Sequence, residues 1–205
     1  MMLYLIALLP FGLGLWLASV IRRIGAVSTG APIGPRPGTA LLLIDLQTAF
    51  LENGPYDRTA IAAAEAAILD EVAAARAAGW PIVAVRQEWS LPSTKLLARL
   101  AMKGRAVAGT AGTELAAPFD GLADHVLVKR VQDAFETGAL DPLLQKLDVG
   151  ALRLVGLDFD HCVAKTARAA RRRGFDVAVV TQATLSAGPS ERTRRILRAE
   201  AVTLL

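Results

Sequence analysis

The first twenty or so residues differ in pattern from everything after them. Residues 2–21 read MLYLIALLPFGLGLWLASVI, with no charged side chain and with apolar residues all the way round a helical projection. At ~1.5 Å per residue such a run reaches across a bilayer core, and Arg22 and Arg23 close it. The pattern predicts one uncleaved transmembrane helix within an anchor over residues 1–23. No Lys or Arg precedes the run, and it exceeds a usual signal core, which weighs against a cleaved leader. Residues 24–38, rich in Pro and Gly and without periodicity, read as a linker.

From Thr39 the pattern alternates between strand and helix. Residues 40–44 form a short continuous apolar run, as expected of a strand buried on both faces. An Ala-rich helix is predicted over 59–78, ending at Gly79, and a strand over 81–85. A short helix over 93–103 sits inside a long excursion. Strands at 125–128, 152–155 and 177–180 follow, separated by helices at 140–147 and 162–173. A helix at 189–199 and a short strand at 202–204 close the chain. This alternation predicts a single α/β domain over residues 39–205, a three-layer, doubly wound, mainly parallel sheet of Rossmann-like type with helices on both faces.

Charge and composition narrow the partners. The formal charge is +4 over 205 residues, but the basic clusters at 171–173 and at Arg192, Arg194, Arg195 and Arg198 read as solvated helix faces. No nucleic-acid motif or basic-aromatic platform accompanies them, so nucleic acid is not an expected partner. The one cysteine, Cys162, precludes an intramolecular disulfide and suits a reducing compartment.

Ligands of such sheets bind outside the carboxyl ends of the strands. Three reactive residues fall there: Asp45 after the first strand, Lys129 after the third, and Cys162 at the start of the helix after the fourth. A thiol attacks as thiolate, and a helix start and a nearby ammonium both favour that form, so a depressed Cys162 pKa is expected. Asp45 would take the thiol proton and return it to a departing amine. Taken singly, each residue has an ordinary structural role open to it; their joint placement carries the functional reading.

The residues around these three resemble the isochorismatase-like cysteine hydrolase superfamily, which includes nicotinamidases and N-carbamoylsarcosine amidases. Asp45-Leu46-Gln47-Thr48-Ala49-Phe50 resembles its D-x-Q-x-x-F opening, and Gly109-Thr110-Ala111-Gly112-Thr113-Glu114-Leu115 its G-T-x-G-x-E-L segment. Lys129-Arg130 with Ala134-Phe135 and Thr137 resembles the K-R-x-x-x-A-F-x-x-T stretch. Gly156 to Val163, with Thr166-Ala167, resembles the nucleophile segment G-x-x-x-D-x-C-V-x-x-T-A. The resemblance implies an Asp45–Lys129–Cys162 triad, a cis peptide at Leu157-Asp158, and an oxyanion hole from the backbone N–H groups of Asp158 and Cys162. It implies hydrolysis of a C–N bond in a small amide, carbamoyl or ureido compound through a thioester, and a homo-oligomer.

Departures from the family pattern matter as well. Nicotinamidases hold a metal through D-x-H and further histidines; here the stretch is Gln87-Glu88-Trp89-Ser90, and the only histidines are His125 and His161. Neither a metal nor another cofactor is expected. Gln47, Phe50, Trp89 and His161 are candidate pocket residues, and Asp158 stands where a small residue is common. A membrane-tethered pseudoenzyme, a vinyl-ether hydrolase and a redox-sensing thiol are the competing readings. Arg22, Arg23 and Arg36 follow the apolar run, which places the domain on the cytoplasmic side of an inner membrane.

Overall fold

Residues 40–44 of strand β1 (Gly38–Ile44) are wholly buried, which explains a strand with no polar face. In the computed structural model, which describes residues 2–205 and their side chains from residue 12 onward, β1 lies at the centre of a six-stranded sheet. Its neighbours are β2 (Ile82–Gln87) and β4 (Val149–Leu157). The full order is β3-β2-β1-β4-β5-β6, with β3 (His125–Lys129), β5 (Asp176–Leu185) and β6 (Thr203–Leu204). Every pairing is parallel. The chain therefore winds outward from β1 to β3, returns, and winds outward the other way from β4. Between the carboxyl ends of β1 and β4 the crossovers diverge and leave a crevice.

The two-residue period of the strands sorts side chains into two cores. On one face Leu42, Ile44, Val83 and Leu154 pack with Phe135, Leu140, Leu144 and Ala167, from the region of helices α5 (Leu140–Lys146) and α6 (Ala164–Arg172). On the other face Leu41, Leu43, Ala84 and Val155 meet Ile68, Val72 and Ala75 of α3 (Arg58–Ala77). That helix starts at Asp57, whose carboxylate accepts from the N–H groups of Thr59 and Ala60. A four-residue helix α2 (Thr48–Leu51), too short to leave a periodic trace, follows β1; α4 (Pro92–Ala101) and α7 (Glu191–Ala199) complete the domain.

The apolar runs mark the middle of β4 and β5 but not their length. Arg153 and Gly156 interrupt β4 in sequence, yet the ladder with β1 continues through them, its register shifting only past Gly150, and Arg153 is satisfied by an ion pair with Glu71. The arginines at 171–173, expected to be solvated, are engaged instead. Arg173 is 2% exposed, stacks 4.4 Å over the Phe135 ring and donates to both oxygens of Asp141 at 2.7 and 3.1 Å.

The N-terminal segment forms α1 (Met2–Ile24), but the transmembrane helix expected over residues 1–23 is not supported. Among the described residues, no helix is long and apolar enough to cross a membrane. The first half of the expected anchor lies on residues 1–11, whose side chains fall outside those described. Over the remainder, Trp16, Val20 and Ile24, four apart, form a stripe that packs with Trp89, Ala98 and Val107 of the domain. Part of the apolar excess that suggested a span is therefore spent on protein contact. Residues 25–37 contain no helix or strand but follow a fixed path. The N–H of Ser28 donates to Asp133 at 2.7 Å, that of Ile33 to the Arg173 carbonyl at 2.7 Å, and Ile33 packs against the core.

Candidate active site

Where β1 ends, the backbone of Asp45 turns sharply at φ 56°, in the left-handed region that Asp tolerates better than most residues. Its N–H donates to Val85 at 2.9 Å, and its carbonyl accepts from Gln47 at 2.7 Å. The carboxylate is thereby held at the crevice, 1% exposed. Lys129 ends β3, two strands and so about 10 Å away, and its long side chain spans the gap. The fully buried ammonium donates to Asp45 Oδ2 at 2.9 Å, to Gln87 Oε1 at 2.6 Å and to the Val131 carbonyl at 3.2 Å. It also lies 3.2 Å from Cys162 Sγ.

Cys162 reaches this point because β4 closes tightly on β1. At Gly156, φ is 112°, and a Cβ there would sit 2.1 Å from the Ile44 carbonyl oxygen, so only glycine fits. The Leu157-Asp158 peptide is cis, as the resemblance implied. Next comes a π-helical turn (Phe159–Val163), and Cys162 lies within it, just before α6. The wide turn, closed by the Val163 N–H on the Asp158 carbonyl at 3.1 Å, is a form of helix often found at functional positions.

Electrostatics correct the expected low thiol pKa. Burial pushes the Cys162 thiol up, the Asp45 charge adds to that, and Lys129 offsets only part. On Lys129, burial works downward, but Asp45 and Cys162 outweigh it and hold the ammonium charged. Burial lifts the Asp45 carboxyl, opposed by Lys129 and the nearby thiol. These directions conflict over Asp45. The 2.9 Å ion pair and the cost of a buried net charge favour carboxylate, ammonium and neutral thiol together. Asp45 Oδ1 has no hydrogen-bond partner among the described residues and is the atom left to receive a proton.

A cavity of about 240 Å³ opens over Cys162. Phe50, Trp89 and His161 line it. Gln47 does not: it is wholly buried behind the site, donating to the Gln87 and Thr113 carbonyls and accepting the Gln87 N–H at 2.6 Å, and so sets the position of Gln87. Tyr56, Gln87, Met102, Arg105, Gln132 and Ala187 also line the cavity and were not anticipated. Most come from loops and helix ends, which carry no periodic signal; only Gln87, beside the Glu88 to Ser90 stretch, had a marker nearby. Asp158 also lines the cavity, but its carboxylate already accepts from Asp160 N–H at 2.8 Å, Ala187 N–H at 2.9 Å and the Tyr56 hydroxyl at 3.3 Å. It caps the π turn. Burial and then Asp158 hold the Tyr56 phenol protonated by raising its pKa.

The residues do not fit the metal site of the nicotinamidase pattern. Glu88 pairs with Arg86 at 3.4 Å, Ser90 is exposed, and Trp89 between them in sequence is buried in an apolar cluster. Among the described residues, no three His, Cys, Asp or Glu side chains cluster as ligands.

The isochorismatase domain model matches residues 39–204. The chain belongs to the isochorismatase family of hydrolases. An isochorismatase family protein of Desulfovibrio vulgaris is similar in structure, with a TM-score of 0.71 and 30% identity, covering 83% of this chain and 94% of that one. N-carbamoylsarcosine amidase from Thermoplasma acidophilum shares the fold at a TM-score of 0.71 and 24% identity, over 82% and 95% of the two chains. An uncharacterised isochorismatase family protein of Bacillus subtilis is 26% identical over 149 residues, 73% of this chain and 74% of its own length. In this isochorismatase-family chain the glycine-rich segment at 109–115 buttresses the turn after Asp45. The N–H of Ala49 donates to the Gly112 carbonyl at 3.0 Å, and that of Thr48 to the Glu114 carbonyl at 3.2 Å.

Proposed function

We propose that the protein is a cysteine hydrolase that cleaves a C–N bond, amide, carbamoyl or ureido, in a small molecule. The observation that carries this reading is the buried Lys129 ammonium bonded at once to Asp45 and Cys162, both of which line the cavity. Asp45 takes the thiol proton as Sγ attacks the substrate carbonyl carbon, and Lys129 screens the thiolate. The oxyanion is met by the backbone N–H groups of Asp158 and Cys162. Collapse breaks the C–N bond, Asp45 returns the proton to the departing nitrogen, and a thioester remains. Water, deprotonated by Asp45, then attacks the thioester, and the proton passes back to sulfur as the acid leaves. No metal takes part. The amidases among structures of this fold are consistent with this chemistry, and burial of all three groups argues against a retained shell with a solvated, inert site.

The test is a screen of primary amides, carbamoyl and ureido compounds for ammonia release, with rapid quenching and intact-mass analysis. An acyl adduct on Cys162 that forms and decays with turnover is expected. Steady turnover of a compound without any adduct, undiminished after alkylation of Cys162, refutes the mechanism.

We further infer membrane association through α1 with the domain on the cytoplasmic side. What supports it is the apolar run itself and its continuation in Leu13, Leu15, Leu17 and Ile21, all exposed on α1, followed by Arg22 and Arg23. Protease treatment of intact spheroplasts should leave the domain whole, and digestion before lysis would reverse the orientation.

A further inference from the structure

A second basin, about 670 Å³, opens beside the catalytic cavity and shares Met102, Gln132 and His161 with it as a common wall. It lies between the end of α1 and the helices α4, α6 and α7. Its charged lining is three cations, Lys165, Arg168 and Arg192, against one carboxylate, Asp160. Asp160 is already engaged by the hydroxyls of Ser186 and Ser190, at 2.5 and 3.0 Å. Arg168 is answered by Glu200 at 2.6 Å. Lys165 and Arg192 have no carboxylate partner among the described residues.

Geometry ties the first of these, Lys165, to the reacting sulfur, and Arg192 lines the same basin. Lys165 follows Cys162 by three residues, about 5 Å further along the helix axis, and long helical side chains lean back toward the helix start. Gly25, at the end of α1, lies between Lys165 Cε and Gln132 Oε1: a Cβ there would be 4.0 and 3.7 Å from them. The ammonium therefore stands beside the shared wall. Burial, then Arg168 and Arg172, press the Lys165 pKa down, with Glu200 opposing. A half-buried ammonium crowded by like charges gains from an incoming anion.

We propose that this basin is a subsite for an anionic group, carboxylate or phosphate, at the end of the substrate remote from the scissile bond, held by Lys165 and Arg192. The catalytic cavity itself is walled by Phe50, Trp89, Met102 and Leu157, so the substrate is an amide with an apolar middle and a charged tail. This deepens the amidase reading and rests on it for the position of the amide.

The experiment uses full-length Cys162→Ala protein, which cannot turn over, and three probes: hexanamide, 5-carboxypentanamide and the phosphate ester of 6-hydroxyhexanamide. Calorimetry should show at least one charged probe binding about tenfold or more tighter than hexanamide, the scale of a charge-assisted contact; the tighter of the two identifies the anion. Lys165→Met and Arg192→Met should each shrink that preference to about twofold, whereas Arg195→Met, elsewhere on α7, should keep it. Ammonia release by the unmodified chain is followed in parallel. Equal affinity for charged and uncharged probes, or no binding of any, overturns the subsite even if hexanamide is hydrolysed. A charged preference lost in both variants without ammonia release upholds the subsite and refutes the amidase reading.

Discussion

Where the protons sit decides how Cys162 behaves. Asp45, Lys129 and the neutral thiol sum to zero charge, and a thiolate would leave a buried negative charge uncompensated. Alkylation by iodoacetamide in the absence of substrate should therefore be slow at neutral pH and accelerate only in alkali. Asp45→Asn removes a charge that raises the thiol pKa, so this variant should alkylate faster while amide turnover falls by about 10³-fold or more. Lys129→Met removes the one charge that lowers it and should alkylate more slowly still. The same shift links to stability. A folded-state thiol held above its ordinary 9.0 keeps its proton where the unfolded chain releases it. Stability conferred by the bound proton is thus full below pH 9 and lost as pH rises above it, by up to about 1.4 kcal/mol per pH unit. Thermal melts between pH 8 and 11 should show this fall, and Cys162→Ala should lessen it. Asp45 and Lys129 were legible as reactive side chains at strand ends, and Cys162 as one at a helix start. Burial of the thiol was not, since the depth at which a side chain sits beneath a cavity leaves no local mark.

Helices and strands supply the positions those residues need. The crossing of β1 and β4 depends on Gly156, where any side chain meets the Ile44 carbonyl. Gly156→Ala should cost at least about 4 kcal/mol or abolish folding, read by chemical denaturation. The Arg173 side chain joins three elements: it caps α6 through the Ala169 carbonyl at 3.1 Å, pairs with Asp141 on α5, and donates to the Ser28 and Thr29 carbonyls of the N-terminal stretch, each at 3.4 Å. Arg173→Ala should lower stability by about 2–4 kcal/mol and open residues 25–37 to limited proteolysis first. Sequence alone placed every strand of the sheet, because continuous apolar runs between helical patterns have few alternatives. It missed the π turn at Phe159–Val163, whose extra residue per turn is set by contacts around Asp158 and not by residue propensity.

Across the molecule, the order β3-β2-β1-β4-β5-β6 brings residues 45, 129 and 162 to one crevice. The parallel alternation foretold that convergence, but not that α1 would lie beside it. Val20 and Ile24 pack against Trp89, a wall of the catalytic cavity, and the Gln132 N–H donates to the Ile24 carbonyl at 3.1 Å. The N-terminal helix and the catalytic cavity therefore share a boundary. Val20→Asp with Ile24→Asp should release α1, lower the melting temperature by several degrees and raise KM more than it lowers kcat. An apolar helix read one residue at a time has no means of showing which stripe faces protein. The central claim remains that Cys162 performs the hydrolysis. Its most direct measurement is the turnover of Cys162→Ala against the unmodified chain on the best compound from the amide screen. The nucleophile's role predicts a loss of about 10⁴-fold or more with the fold intact by circular dichroism; a variant that keeps its rate within about tenfold contradicts it.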